Sequence, residues 1–323
     1  MEAQVLSLAQ AIGKGDRVAL ARGLSLIESI REEDLSFRLA LLRQVPAPPS
    51  STYRIGFTGA PGAGKSTLID AVGAYLLDTS PETTLAILTV DPSSWRSGGS
   101  LLADQTRMRR LSNHPRAFAR TFASGGHLGG LHPRIYEAVT LCEAAGFTWI
   151  FIESVGTGQS EIELRYACDF LLYVALPHTG DEIQGLKRGL MEALDGIALN
   201  KADAVPPSDL NRAQFQLETA LHFLRGGDSL LPFVTAVSAL TGHGIESMWS
   251  QIVERTIAIC AQPSHRKNQL QHWLDRYWEE ALSWWLARSP YGKLHRTLQE
   301  RLEAGEPLWH LLEEIGKGFG LLR

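Results

Sequence analysis

The sequence predicts an α/β fold: a mostly parallel, seven-stranded sheet flanked by helices, with helical extensions before and after it. Two observations carry this expectation. Seven short, near-continuous apolar runs alternate with helical stretches between residues 53 and 237, which is how strands buried on both faces read. A glycine-rich loop, Gly59-Ala60-Pro61-Gly62-Ala63-Gly64-Lys65-Ser66-Thr67, joins the first of these runs to a helical stretch.

The elements follow in order. Val5, Leu6, Leu8, Ala9 and Ile12, then Val18, Leu20, Leu24, Ile27 and Ile30, recur at helical spacing on either side of Gly13-Lys14-Gly15-Asp16. That predicts two amphipathic helices and a third ending at Leu42, an N-terminal extension over 1–45. Pro46-Ala47-Pro48-Pro49-Ser50-Ser51 is a linker, because proline cannot continue a helix. The strands expected are Tyr53–Thr58, Thr84–Val90, Ala117–Phe122, Trp149–Ile152, Phe170–Ala175, Gly196–Leu199 and Phe233–Val237, within a nucleotide-binding domain over 52–262. Beyond it, 263–323 reads as a helical extension. Trp273, Leu274, Tyr277, Trp278, Leu282, Trp284, Trp285 and Leu286 form an aromatic-rich stripe there, suited to core packing or to a subunit interface.

The glycine-rich loop is G-x-x-x-x-G-K-[ST] between strand and helix, a P-loop, and the fold is that of a P-loop NTPase. Its backbone N–H groups curl toward phosphate oxygens, and the following helix adds its positive dipole end. Lys65 would reach the β- and γ-phosphates, and Ser66 would ligate Mg²⁺.

The remaining polar motifs fall at the carboxyl ends of strands, where ligands bind in open α/β sheets. Asn200-Lys201-Ala202-Asp203 is the N-K-x-D arrangement that reads guanine. The Asp203 carboxylate accepts from N1–H and the exocyclic amine, and adenine would leave it unpaired. Asn200 would contact the base edge or brace the loop, and the Lys201 stem would lie over the ring. Ser238-Ala239-Leu240 follows the last strand, where a backbone N–H reaches guanine O6. The expected ligand is GTP or GDP rather than ATP. Glu153-Ser154-Val155-Gly156 closes the fourth strand. Glu153 would hold a Mg²⁺-bound water, and the Gly156 N–H would sense the γ-phosphate. Gln159 is a candidate for orienting the attacking water, or else a solvated side chain in a glycine-rich turn. Asp91 and Asp104 flank a loop containing Gly98-Gly99. Asp91 is placed to meet Mg²⁺ or its water shell, Asp104 is a second candidate acid for that ion, and either one could instead be a helix cap.

Composition narrows the class. The chain has 323 residues, is 44% hydrophobic and 20% charged, and carries a net charge of −4, which gives no general nucleic-acid footprint. Arg107, Arg109 and Arg110 form a short basic cluster, read as a solvated helix face. No apolar run approaches the roughly 18–20 residues that span a bilayer, so no membrane contact is expected. Cys142, Cys168 and Cys260 form no C-x-x-C, which fits a reducing, cytoplasmic setting. The ten histidines show no metal-ligand spacing, and the P-loop magnesium is the metal expected.

Taken together, these stretches resemble the methylmalonyl-CoA mutase-associated GTPases, the MeaB/ArgK group, which are related to metallochaperone GTPases. The resemblance rests on Gly59–Thr67, Val90-Asp91-Pro92-Ser93-Ser94 with Gly98-Gly99-Ser100, Thr106-Arg107-Met108, Leu128-Gly129-Gly130 and Leu141–Phe147. It continues through Glu153–Glu161, Gly180–Lys187 and Asn200–Asp203. It implies GTP hydrolysis that gates adenosylcobalamin delivery to, and protects, a cobalamin-dependent acyl-CoA mutase of the methylmalonyl-CoA mutase type. It further implies a homodimer through the C-terminal helices, and a mobile switch over Asp181–Lys187 with Lys187 a key member. The chain departs from the group's pattern at Ala103 and Gln105, at Ser154 where threonine is usual, at Thr157 where valine is usual, and at Leu164-Arg165. These positions lie on switch surfaces and bear on the partner rather than the nucleotide. Two other readings stay open: a nickel- or cobalt-inserting GTPase, and a protein kinase.

Overall fold

In a computed structural model, residues 2–29, 31–49, 51–91, 108–123, 132, 134–154, 160–177, 188–226, 231–288, 300, 301 and 304 are described. All seven expected strands form: β1 (Tyr53–Gly59), β2 (Leu85–Asp91), β3 (Ala117–Ala123), β4 (Trp149–Glu153), β5 (Phe170–Ala175), β6 (Gly196–Leu199) and β7 (Phe233–Ala236). They make one sheet in the order β3-β2-β4-β1-β5-β6-β7, and every neighbouring pair is parallel. An all-parallel sheet needs a crossover between successive strands, and described helices supply it for every pair except β2 and β3, between which 92–107 lie outside the described residues.

Burial on both faces explains the near-continuous apolar strands. Ile55 and Phe57 on β1 are buried with Leu68, Val72, Met248 and Ile252. These belong to α4 (Lys65–Thr79) and α9 (Ile245–Cys260), which cover one face. Gly56, between them in β1, points the other way: a Cβ there would come within 2.8 Å of Cys168 Sγ and 3.0 Å of Leu164 Cγ. That face carries α5 (Ile135–Ala144), α6 (Ser160–Ala167) and α7 (Arg188–Ala193). The helix α8 (Pro207–Arg225) precedes β7.

Three lead-in helices precede the sheet: α1 (Glu2–Gly13), α2 (Arg17–Glu28) and α3 (Glu32–Gln44). Asp16 caps α2 by accepting from the Val18 and Ala19 N–H groups at 2.8 and 2.9 Å, a contribution of about 1 kcal/mol. The third helix runs past Leu42 to Gln44 and stops there because Val45 precedes Pro46, and a residue before proline is driven to extended backbone. Arg17 donates to the Ala117 carbonyl at 2.7 Å and Arg120 pairs with Glu28, so the lead-in is joined to β3.

Two compact units result, Met1–Arg266 and Lys267–Arg323. The first contains the lead-in and the whole sheet. In the second, the described backbone is mainly the part of α10 (Pro263–Arg288) from Lys267 onward. Among the described residues no helix is long and apolar enough to cross a membrane. Arg109 and Arg110 sit in a turn rather than on a helix face. Asp70 of α4 holds that turn by accepting from the Arg110 and Leu111 N–H groups, both at 3.1 Å.

Candidate nucleotide site

The parallel register brings the carboxyl ends of β4, β1, β5, β6 and β7 side by side, and the predicted motifs lie on them. Phe57 is level with Glu153, Gly59 with Val174, and Leu199 with both Ala175 and Ala236.

The loop after β1 depends on glycine where backbones meet. Gly59 has φ 140°, and a Cβ there would lie 2.1 Å from the Val174 carbonyl oxygen. Gly64 has φ 88° and caps α4; a Cβ there would lie 2.6 Å from Asn200 Nδ2. No larger residue fits either place. Lys65 opens α4 and folds back over the loop, its ammonium donating to the Gly59 carbonyl at 2.8 Å and the Ala60 carbonyl at 3.2 Å. Ser66, in the same first turn, donates to Glu153 Oε1 and Oε2 at 2.9 and 3.1 Å. A hydroxyl and a carboxylate from two separate elements are thus brought together, and oxygen donors of this kind suit a hard dication.

The segment after β6 grips the loop from the other side. Asn200 is buried, with Nδ2 donating to the Ala63 carbonyl at 2.9 Å and Oδ1 accepting the Ala239 N–H at 3.1 Å. Of the two roles open to it, the described contacts are those of a brace. One amide clamps the phosphate loop to the segment after β7, with both ends satisfied in a buried site. Lys201 adopts φ 61°, and among the described residues it is the only non-glycine in that region, a conformation that costs roughly 1 kcal/mol. This turn points its ammonium at the Gly62 carbonyl, 3.0 Å away. Asp203 and Leu240 are exposed beside it. Ser238 is fully buried and ties its own turn, its hydroxyl accepting from the Thr241 N–H at 3.1 Å.

Gly156, Gln159, Asp104 and Lys187, like the rest of 181–187, lie outside the described residues, as does the Asp91 side chain. Sequence reading missed one contact. Ser154, buried directly after Glu153, donates from its hydroxyl to Thr58 Oγ1 at 3.1 Å and from its backbone to the Phe57 carbonyl at 3.1 Å. Ser154, expected on a switch surface, is instead buried, as is Leu164, and it links β4 to the base of the phosphate loop.

Comparison with known proteins agrees with this geometry. The family model described as Methylmalonyl Co-A mutase-associated GTPase MeaB matches residues 20–288. GTPase ArgK of Escherichia coli is 38% identical over 283 residues, covering 86% of this chain and 85% of that protein. The mouse protein named methylmalonic aciduria type A homolog, mitochondrial, is 37% identical over 271 residues, covering 80% of this chain and 65% of that one. A crystal structure of an LAO/AO transport system kinase superposes with a TM-score of 0.77 at 29% identity, covering 99% of both chains. This chain belongs to the methylmalonyl-CoA mutase-associated GTPase family, and it is a P-loop GTPase.

Proposed function

We propose that the chain is a GTP-driven chaperone that gates adenosylcobalamin delivery to, and protects, a cobalamin-dependent acyl-CoA mutase of the methylmalonyl-CoA mutase type. The observation that carries this reading is the family match over residues 20–288. It is joined to a braced nucleotide site with no separate substrate-binding chemistry beside it among the described residues.

In this reading Lys65 offers its charge to the β- and γ-phosphates, releasing the Gly59 and Ala60 carbonyls it now holds. Ser66 and Glu153 hold Mg²⁺, with Asp91 and Asp104 as further acids; the bound ion supplies charge neutralisation on the phosphates. The Gly156 N–H senses the γ-phosphate, and Gln159 positions the water. Asp203 selects guanine, while Asn200 and Lys201 keep the loop in shape. The Ser66–Glu153 contact supports a switch, because it links the phosphate loop to the strand end that leads into 155–159. Lys187 and its neighbours would report the nucleotide state to the mutase.

A homodimer through α10 belongs to the same proposal. Leu270, Leu274, Trp278 and Leu282 recur every four residues and are all exposed, Trp278 by 71%. A stripe of that spacing on one helix suits a second copy of itself. The free cysteines Cys142, Cys168 and Cys260 support placement in the reducing cytoplasm.

GTP turnover and affinity should be measured with and without candidate cobalamin-dependent mutases. Acceleration by one of them is expected; if every mutase leaves both unchanged, the partner assignment fails. A second reading, phosphoryl transfer to a protein, draws on the kinase named in the superposed structure. Label from γ-³²P-GTP appearing in a protein rather than in inorganic phosphate would favour it.

A further inference from the structure

The end of the sheet away from the phosphate loop holds a cluster that the GTPase reading does not use. Asp169 immediately precedes β5, Cys260 closes α9, and His265 lies in the first turn of α10. One ligand atom from each lies within 4.8 Å of the other two, and His265 Nε2 is 3.0 Å from Asp169 Oδ1. We propose that Asp169, Cys260 and His265 bind a zinc-type dication, separate from the magnesium of the nucleotide site.

The donor chemistry sets the class of metal. A thiolate, an imidazole and a carboxylate are the sulfur, nitrogen and oxygen ligands that zinc takes, and three protein ligands leave a fourth tetrahedral position for water. Magnesium prefers oxygen alone and would not select this set.

The surroundings hold the ligands in place. Asp169 is fully buried, and its second oxygen accepts the Arg54 backbone N–H at 2.9 Å, which fixes the carboxylate plane. Cys260 is only half-buried, which gives an ion a way in. Three guanidinium groups face the cluster, Arg54, Arg165 and Arg266, and a dication would be repelled by them if they stood alone. Each is paired. Glu143 Oε1 accepts from Arg54 at 2.9 and 2.6 Å and from Arg266 at 3.2 Å. Asp195 accepts from Arg165 at 2.9 Å. The Asp169 side chain makes its hydrogen bonds to a backbone N–H and an imidazole rather than to a guanidinium. The oxygen facing His265 can therefore turn to a metal, and against the cost of burial the guanidinium groups keep that carboxyl ionised.

Charge also balances at the centre. As the sulfur coordinates, the Cys260 proton leaves to water, and the thiolate and the Asp169 carboxylate together neutralise the dication. Without metal, burial and the nearby Asp169 push the Cys260 thiol up to about 11. A bound dication acts in the opposite sense and holds the sulfur ionised. The result would staple the starts of β5 and α10 to the end of α9.

The test uses the full chain, stripped with a chelator and then kept in excess magnesium. Zinc is titrated against a chromogenic chelator, and cobalt serves as a spectroscopic stand-in. The expected result is one zinc ion per chain and a thiolate-to-cobalt charge-transfer band. Cys260→Ser should abolish that band and lower zinc affinity at least ~10-fold, with GDP binding retained. Cys142→Ser should leave the band in place. No stoichiometric zinc, or a band that survives Cys260→Ser, would overturn the proposal. If Cys260→Ser loses GDP binding and so its fold, alkylation of Cys260 in the unmodified chain decides. Protection by zinc supports the site, and equal labelling with and without zinc refutes it.

Discussion

Lys65 and Asn200 act at the same loop by different physics. Lys65 is a charge at the end of a long side chain that donates to two carbonyls of its own loop. Lys65→Ala should leave the fold intact and lower GTP turnover by about 10²–10³-fold, the scale of losing one directed donor from a site of developing charge. Asn200 is a buried brace. Asn200→Ala strands the Ala63 carbonyl and the Ala239 N–H, so it should cost roughly 1–3 kcal/mol of stability. It should also weaken nucleotide binding, and thermal unfolding with and without GDP separates the two effects. Asp203 is exposed and carries no such structural load. Asp203→Asn should narrow the GTP-over-ATP preference without lowering the melting temperature, as competition binding with the two nucleotides would reveal. All three residues lie past the carboxyl ends of strands expected from the sequence, Lys65 after β1 and Asn200 and Asp203 after β6. The sequence left Asn200 between a base contact and a brace, because its partner at Ala63 lies 137 positions away in the chain and no spacing rule reaches that far.

Elements were legible where one physical signal dominated. Strands buried on both faces announced themselves by apolar runs, and each of β1–β7 formed at its expected place. Departures came where side chains overruled the pattern. Thr84 falls just outside β2 because it exchanges hydrogen bonds with Thr148: its N–H reaches Thr148 Oγ1 at 3.0 Å, and its hydroxyl accepts the Thr148 N–H at 3.1 Å. The basic residues at 109–110 read as a helix face, yet Asp70 draws their backbone into a turn. Such long-range caps leave no local trace. The C-terminal stripe is the converse case. Its aromatic-rich run was plain, but composition does not say what covers it: Trp273 is buried, whereas Leu274, Trp278 and Leu282 are exposed. If a second copy covers α10, Leu274→Asp with Trp278→Asp should convert a dimer to a monomer in sedimentation velocity. GTP affinity should stay unchanged, since the substitutions leave the phosphate loop untouched.

At the scale of the whole molecule, the first unit combines two arrangements that sequence presents unequally. The nucleotide end is assembled from contiguous motifs, G-x-x-x-x-G-K-[ST] and N-K-x-D, so its chemistry could be read before its geometry. The opposite end gathers Asp169, Cys260 and His265 from separate elements, and only folding brings them together. Between the two ends runs the sheet, with Ser66 against Glu153 and Thr58 against Ser154 coupling the loop to β4. A hydrolytic site built this way has an output only if another protein distinguishes its nucleotide states. The most direct measurement is therefore the affinity of a methylmalonyl-CoA-type mutase for this chain loaded with GDP or with a non-hydrolysable GTP analogue. A difference of at least ~10-fold between the two states, about 1.4 kcal/mol of coupling, is the predicted result. Equal affinity in both states, or no binding in either, would contradict the account.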